Sequence, residues 1–257
     1  MKLILIVFTL EILHELLSGV IKKGRDVEEM SVIFKTENLC RSFRSGGEVV
    51  HALKNINIQI AKGSLTMLKG RSGSGKTTLI NLLGALDHPN SGKVFFEDRE
   101  ITRTTESRRD EIRRLDIGFV FQSVALISMM SAYENVEFGL RVAGVPMRDR
   151  KNRAEECLSL VALHKRMHHR PQEMSGGEQQ RVAIARAFAH KPKVIIADEP
   201  TGELDTITGL QVVKLFRNLV EKEGLTIVMT THDPSMVEIA DSVITLDDGE
   251  VVSYEQQ

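Results

Sequence analysis

Two stretches of this sequence carry residue types whose spacing suits phosphate chemistry. The first is Gly70-Arg71-Ser72-Gly73-Ser74-Gly75-Lys76-Thr77. Its glycines let the backbone wrap closely around phosphate groups with N–H groups pointing inward. It lies between an apolar run, Ser64 to Lys69, that reads as a strand, and helical text from Lys76 to Leu86. A helix N-terminus placed there adds a favourable dipole for an anion. Lys76 would then reach the β- and γ-phosphates of a nucleotide, and the Thr77 hydroxyl would ligate Mg²⁺. Arg71, Ser72, Ser74 and Thr78 count among the same expected contacts. An ordinary Gly/Ser loop is the plain alternative, and its place between strand and helix argues against it. The second stretch, Val194-Ile195-Ile196-Ala197-Asp198-Glu199, is an apolar run that ends in two carboxylates. A buried parallel strand would deliver both acids to its C-terminal end, where α/β sheets bind ligands. Asp198 is expected to hold Mg²⁺ through water. Glu199, one residue on and pointing elsewhere, is placed to polarise an attacking water as general base. Alone, this strand end could be a charged turn; paired with the glycine loop it reads as the second half of a triphosphate site.

The elements that must position these residues alternate between strand and helix. Val32 to Phe43, Ala52 to Ile60, Lys93 to Phe96, Ile117 to Phe121, Val194 to Ala197 and Thr226 to Thr230 read as strands. Residues 123–174 are mostly helical text, a further helix runs from about Gly176 to Ala189, and Val212 to Val220 is amphipathic. Ser242 to Leu246 and Glu250 to Tyr254 read as a hairpin around Asp248-Gly249. Strands alternating with helices predict an α/β fold with a largely parallel central sheet.

The two motifs give only a P-loop nucleoside triphosphatase. Met174-Ser175-Gly176-Gly177-Glu178-Gln179-Gln180-Arg181 is more specific. It closely resembles the LSGGQ signature of ABC ATPases, with Met174 in the Leu position and Glu178 in the Gln position. Ser175 and Gly177 sit where a helix begins, and bare N–H groups there can grip a phosphate. Gln122 matches the family's Q-loop, Leu204-Asp205 its D-loop and His232 its switch histidine. Phe43 lies where the family places an aromatic that stacks on adenine. The resemblance covers roughly residues 32 to 253. It implies a P-loop (RecA-like) core with a mostly parallel sheet, an N-terminal antiparallel β subdomain and an inserted helical lobe at about 123–180, followed by a tail at 254–257. It also implies ATP and Mg²⁺ as cofactors, with Gln122 sensing the metal and Asp205 near the nucleotide. A homodimer would form on ATP binding, each ATP clamped between the 70–77 loop of one subunit and the 175–177 turn of the other. His232 would contact the γ-phosphate, and the lobe would dock on a transmembrane permease at the cytoplasmic face of the membrane. Gly118-Phe119-Val120-Phe121-Gln122, Glu134-Asn135-Val136 and Arg181 to Ala187 are similar to the branch that releases lipoproteins or exports macrolides and antimicrobial peptides. Val124 to Ser131 departs from that branch's wording.

Composition narrows the rivals. Lys plus Arg total 34 and Asp plus Glu total 35, so no basic excess points to nucleic acid. Cys40 and Cys157 stand apart, outside any metal or disulfide pattern. His164, His168 and His169 include an i, i+4 pair, for which a solvated helix end is the simpler reading than a metal site. The Arg99 to Arg114 cluster is interleaved with acids and reads as a charged helix face. Met129-Met130 suits either a docking surface or core filling. Residues 1–31 read as an N-terminal extension, amphipathic or non-native. A membrane span would bury Glu11, His14 and Glu15, each at roughly 2–3 kcal/mol, and a signal peptide would want a more basic start. Three functional rivals stand beside a transporter motor. One is a non-transport ATPase of the same family acting on DNA or ribosomes. Another is a cell-division type ATPase whose membrane partner transmits a signal. The third is a catalytically silent scaffold, against which the intact Lys76, Asp198, Glu199 and His232 speak.

Overall fold

The computed structural model describes residues 31–257; the extension expected over 1–31 lies, but for its last residue, outside them. Two sheets organise this part of the chain. The larger runs β11(Glu250–Gln256), β10(Ser242–Asp247), β4(Leu65–Lys69), β9(Thr226–Thr231), β8(Val194–Ala197), β7(Ile117–Val120). All its pairings are parallel except the β10–β11 hairpin. The smaller sheet is antiparallel: β2(Glu48–Ile56), β1(Val32–Ser45), β5(Ser91–Phe96), β6(Arg99–Glu100), with β3(Gln59–Ala61) also on β1. The helices are α1(Lys76–Leu83), α2(Glu106–Leu115), α3(Ala132–Val142), α4(Met147–Leu160), α5(Gly176–Phe188) and α6(Thr206–Glu223). α3 and α4 fall between β7 and α5, where helical text with few strand signals was expected.

The central strands are apolar throughout because both faces are covered. Side chains alternate between the faces at period two. Leu65, Met67, Ile195, Ala197, Ile227 and Met229 face a core built with α3, α4, α5 and α6, including Val136, Cys157, Val182 and Phe216. Leu68, Val194, Ile196, Val228 and Ile244 face the other core, shared with α1, Ile112 of α2 and the antiparallel sheet through Phe34, Leu39 and Ile56. Burial of these side chains contributes about 1.5–3 kcal/mol each.

Several boundaries differ from the sequence expectation. Ala52 to Ile60 is two strands, because Asn55 adopts φ 54 and Thr36 of β1 inserts its hydroxyl between them. Thr36 Oγ1 donates to Ile56 O at 2.9 Å and accepts from Ile58 N at 3.1 Å. α1 stops at Leu83, where Gly84 lies so close to the Phe119 ring that a Cβ would sit 2.7 Å from it. α6 begins earlier than the apolar periodicity, capped by Asp205. The charged stretch from Asp98 becomes strand β6 and helix α2, and its face is not wholly solvated. Arg109 is buried, donating to Ala85 O and Asp87 O at 2.7 Å each. Burial pushes its guanidinium below the usual arginine range. His164 lies in a 3-10 turn, His164–Arg166, with Nδ1 3.3 Å from Ser159 Oγ. Met129 is exposed rather than core. Among the described residues no helix is long and apolar enough to cross a membrane.

Candidate active site

β4, β8 and β9 end side by side, and the loops leaving them build one site. After β4 the chain turns sharply. Gly70 has φ 157, and a Cβ there would lie 2.3 Å from Leu246 O and 2.5 Å from Ser74 Oγ. Gly75 has φ 102, and a Cβ would lie 2.5 Å from Ala52 O. Neither position admits another residue without the loop shifting. Gly75 is also the N-cap of α1, and no side chain caps that helix, nor does its first turn hold an acid. The first N–H groups of α1 therefore have no intrahelical acceptor. Among the described residues, Ser74 Oγ is buried without a hydrogen-bond partner. An uncapped helix N-terminus, an unpaired hydroxyl and a glycine cradle fit a polyphosphate.

Lys76 begins α1 with its side chain only 5% exposed, folded over the loop. Its Nζ donates to Gly70 O at 2.9 Å and Arg71 O at 3.1 Å, and lies 3.9 Å from Glu199 Oε1. Thr77 Oγ1 donates to Asp198 Oδ1 at 3.2 Å. A hydroxyl and a carboxylate at that spacing are hard oxygen donors suited to Mg²⁺. Asp198 N is tied to Val120 O of β7 at 2.9 Å, continuing the β8 ladder. The next residue, Glu199, adopts φ 42, a left-handed conformation uncommon outside glycine. The two carboxylates meet different groups: the Thr77 and Thr230 hydroxyls at Asp198, Lys76 and His232 at Glu199. Glu199 Oε2 lies 3.6 Å from His232 Nδ1, and His232 is exposed just past β9. Ser72, Gly73, Gly75, Lys76, Thr77, Thr78 and Glu199 line a cavity of about 160 Å³.

One contributor was missed. Thr230 of β9 is fully buried, donates from Oγ1 to Asp198 Oδ1 at 2.7 Å and accepts from Glu199 N at the same distance. Its signal was there, a hydroxyl residue closing an apolar strand, but only the parallel β8–β9 pairing reveals which acid it meets.

The remaining expected residues surround this centre. Gln122, exposed after β7, lies beside the Glu199–Gly202 turn: a Cβ on Gly202 would be 3.1 Å from Gln122 Nε2. Asp205 caps α6, accepting from Ile207 N, Thr208 N and the Thr208 hydroxyl. The Thr208 hydroxyl and N–H together hold its carboxyl below the usual range. Ser175 caps α5 in a reciprocal box with Glu178. Gly177 packs against Thr208, where a Cβ would meet Cγ2 at 2.4 Å. None of Ser175, Gly176 and Gly177 lines the cavity at the 70–77 loop of their own chain. Phe43, on β1, is exposed on its outer part, with the Arg41 guanidinium 4.5 Å from the ring centroid.

Residues 53–202 match the family described as ABC transporter. An uncharacterised ABC transporter ATP-binding protein of Thermotoga maritima is 47% identical over 212 residues, covering 82% of this chain and 90% of that protein. The macrolide export ATP-binding/permease protein MacB of Vibrio parahaemolyticus is 41% identical over 222 residues; the match covers 86% of this chain but 34% of that protein. In three dimensions the fold resembles the ATP-binding cassette MJ0796, solved as a dimer in a post-hydrolysis state bound to ADP and Pi. That match has TM-score 0.80 and 39% identity, covering 87% of this chain and 98% of the other. A glycine cradle, a lysine and a strand-end acid pair meet in one site, and the family match spans all three. This chain belongs to the ABC transporter family, as an ATP-binding, ATP-hydrolysing subunit of a transporter.

Proposed function

We propose that this subunit powers a separate transmembrane permease that exports lipoprotein, peptide or macrolide-like substrates, working at the cytoplasmic face of the membrane. The observation that carries the export reading is the 41% identity to a protein named for macrolide export. In this reading the segment at about 123–180, in which Met129 is exposed, meets the permease.

The roles follow from the geometry. The N-terminus of α1 and the loop glycines hold the β- and γ-phosphates, and Lys76 turns from the loop carbonyls to the γ-phosphate. Thr77, Asp198 and Gln122 would hold Mg²⁺, which would supply charge neutralisation on the phosphates. Glu199, with Lys76 and His232 beside it, takes the proton of the attacking water. His232, 3.6 Å from Glu199, orients that water and contacts the γ-phosphate. Phe43 offers its open ring face to the adenine. The 175–177 turn, which has no ligand-facing role within its own chain, grips the γ-phosphate bound by a second copy, so ATP holds two copies together.

The test is dimerisation. Glu199→Gln should still bind ATP, hydrolyse it far more slowly and accumulate as a dimer with ATP by size-exclusion chromatography with light scattering. Adding Ser175→Arg should abolish that dimer. A Glu199→Gln protein that stays monomeric at saturating ATP sinks the shared-site mechanism. For the export reading, ATPase activity with the cognate permease in proteoliposomes should rise with a transported lipopeptide or macrolide.

A further inference from the structure

The turn at Ser175–Gly177 has an electrostatic problem. Helix α5 opens with Glu178 in its first turn, so a carboxylate sits within one helical turn of N–H groups proposed to receive a phosphate. A negative charge there competes with an incoming anion for the same helix terminus. Glu178 Oε2 accepts from Ser175 N at 2.9 Å, while Glu178 N donates to Ser175 Oγ at 3.3 Å. Its other oxygen, Oε1, lies 3.1 Å from Arg166 Nη1. The Glu178 side chain is 15% exposed, so water screens it poorly. The Ser175 N–H, helped by Arg166, holds the carboxyl below the usual range, and it is ionised at neutral pH.

Arg166 comes from outside α5. It ends the 3-10 turn His164–Arg166, and its Nη2 donates to Glu173 O at 2.6 Å, just before the 175–177 turn. One guanidinium thus fixes the chain entering the turn and faces the carboxylate behind it.

We infer that Arg166 is a positioning residue that neutralises Glu178, so that the Ser175–Gly177 turn can accept the γ-phosphate held by a second copy. The inference rests on the proposed reading of that turn as the contact to the partner's ATP. A glutamine at 178 keeps the oxygen that accepts from Ser175 N and removes the charge. The need for Arg166 therefore depends on which residue stands at 178.

A double-mutant cycle tests this. Arg166→Met should lower ATPase activity and weaken ATP-driven dimerisation roughly tenfold, the scale on which one charge acts at a partly buried helix terminus. Its affinity for ADP, by calorimetry, should stay as in the unaltered protein, because ADP needs only the 70–77 loop. The double variant Arg166→Met with Glu178→Gln should approach the activity of Glu178→Gln alone. A double variant no better than Arg166→Met, with ADP binding intact, makes Arg166 a purely structural anchor and overturns the inference, as does an Arg166→Met protein with full activity. Arg166→Gln serves the same cycle should Arg166→Met not fold. Ser175→Arg separates the two levels: full ATPase activity in that variant would remove the shared-site reading itself, whatever the cycle shows.

Discussion

Replacing Thr230 with valine keeps the shape of the side chain and deletes one oxygen. That oxygen donates to Asp198 Oδ1 at 2.7 Å and accepts from Glu199 N at 2.7 Å, in a position with no solvent exposure. The lost bond to a charged acceptor is worth about 1.5–3 kcal/mol, and a buried N–H left unpaired costs about 1–3 kcal/mol. The two overlap, because a relaxed turn can recover part of each, so a net loss of about 3 kcal/mol is expected. For a domain of this size that corresponds to a fall of roughly 6–12 °C in Tm. Activity should suffer separately. Among the described residues the Asp198 carboxylate keeps only the 3.2 Å bond from Thr77, and the Glu199 N–H loses its acceptor. The Mg²⁺ concentration for half-maximal ATPase activity should rise and kcat should fall. Thr230→Ser, which retains the hydroxyl and loses a methyl, should lose stability of the order of 1 kcal/mol while keeping the Mg²⁺ dependence. Thermal unfolding and an ATPase assay titrated with Mg²⁺ decide it. A Thr230→Val protein with unaltered Tm and unaltered Mg²⁺ dependence would refute the idea that this hydroxyl positions the two acids.

Lys76→Ala should fold but lose ATP affinity by at least roughly tenfold, the cost of a charge-assisted contact to phosphate, measured by calorimetry. Its side chain is buried over the loop, where Nζ donates to two carbonyls, so its Tm should fall by a few degrees, about 2–4 °C per kcal/mol lost. Cys157 should resist thiol reagents at pH 8 in the folded protein, because burial pushes its thiol up to about 12. The unfolded chain ionises this group near 9.0 and the folded chain does not, so stability is full below pH 9 and declines as pH rises from there toward 12. A denaturant series across that range, with Cys157→Ala as control, reads the slope.

Much of the chemistry was legible because it is local. A phosphate loop must be a glycine-rich turn between a strand and a helix, and Gly70, Gly75 and Lys76 announce it by spacing alone. The strand Val194–Ala197 is a continuous apolar run because both its faces are buried, and its length sets where Asp198 and Glu199 emerge. What the sequence concealed depends on pairing across distance. Thr230 is one of several threonines until β9 lies beside β8 in register. The break between β2 and β3 depends on Thr36, about one strand away in space and far along the chain. Arg109 reads as one more surface charge in an alternating run. Only the turn at 85–87 folding over α2 supplies the carbonyls that bury it. The left-handed Glu199 was equally hidden, since no residue type there demands it.

That left-handed turn also begins a segment that reaches the Ser175–Gly177 turn. Gly202 N donates to Glu199 O at 2.9 Å and Leu204 N to Thr201 O at 3.1 Å, so the chain from Glu199 to Asp205 is a run of turns rather than a loose loop. It ends at Asp205, which caps α6 through Ile207 and Thr208. Thr208 is the residue against which Gly177 packs, with no room for a Cβ between them. Gly176 faces Leu204 more loosely, an added Cβ falling 3.7 Å from its Cδ2, an ordinary contact. Displacing Gly177 toward α6 therefore presses on Thr208, at the end of the segment that begins at Glu199. The tight Gly177–Thr208 contact would carry such a displacement. On the proposed reading, contact between this turn and a partner's γ-phosphate would adjust the general base of the chain's own site. Hydrolysis at one site would then respond to occupancy of the other. Enlarging Gly177, which separates the turn from Thr208, should disturb that response more than it disturbs nucleotide binding at the 70–77 loop.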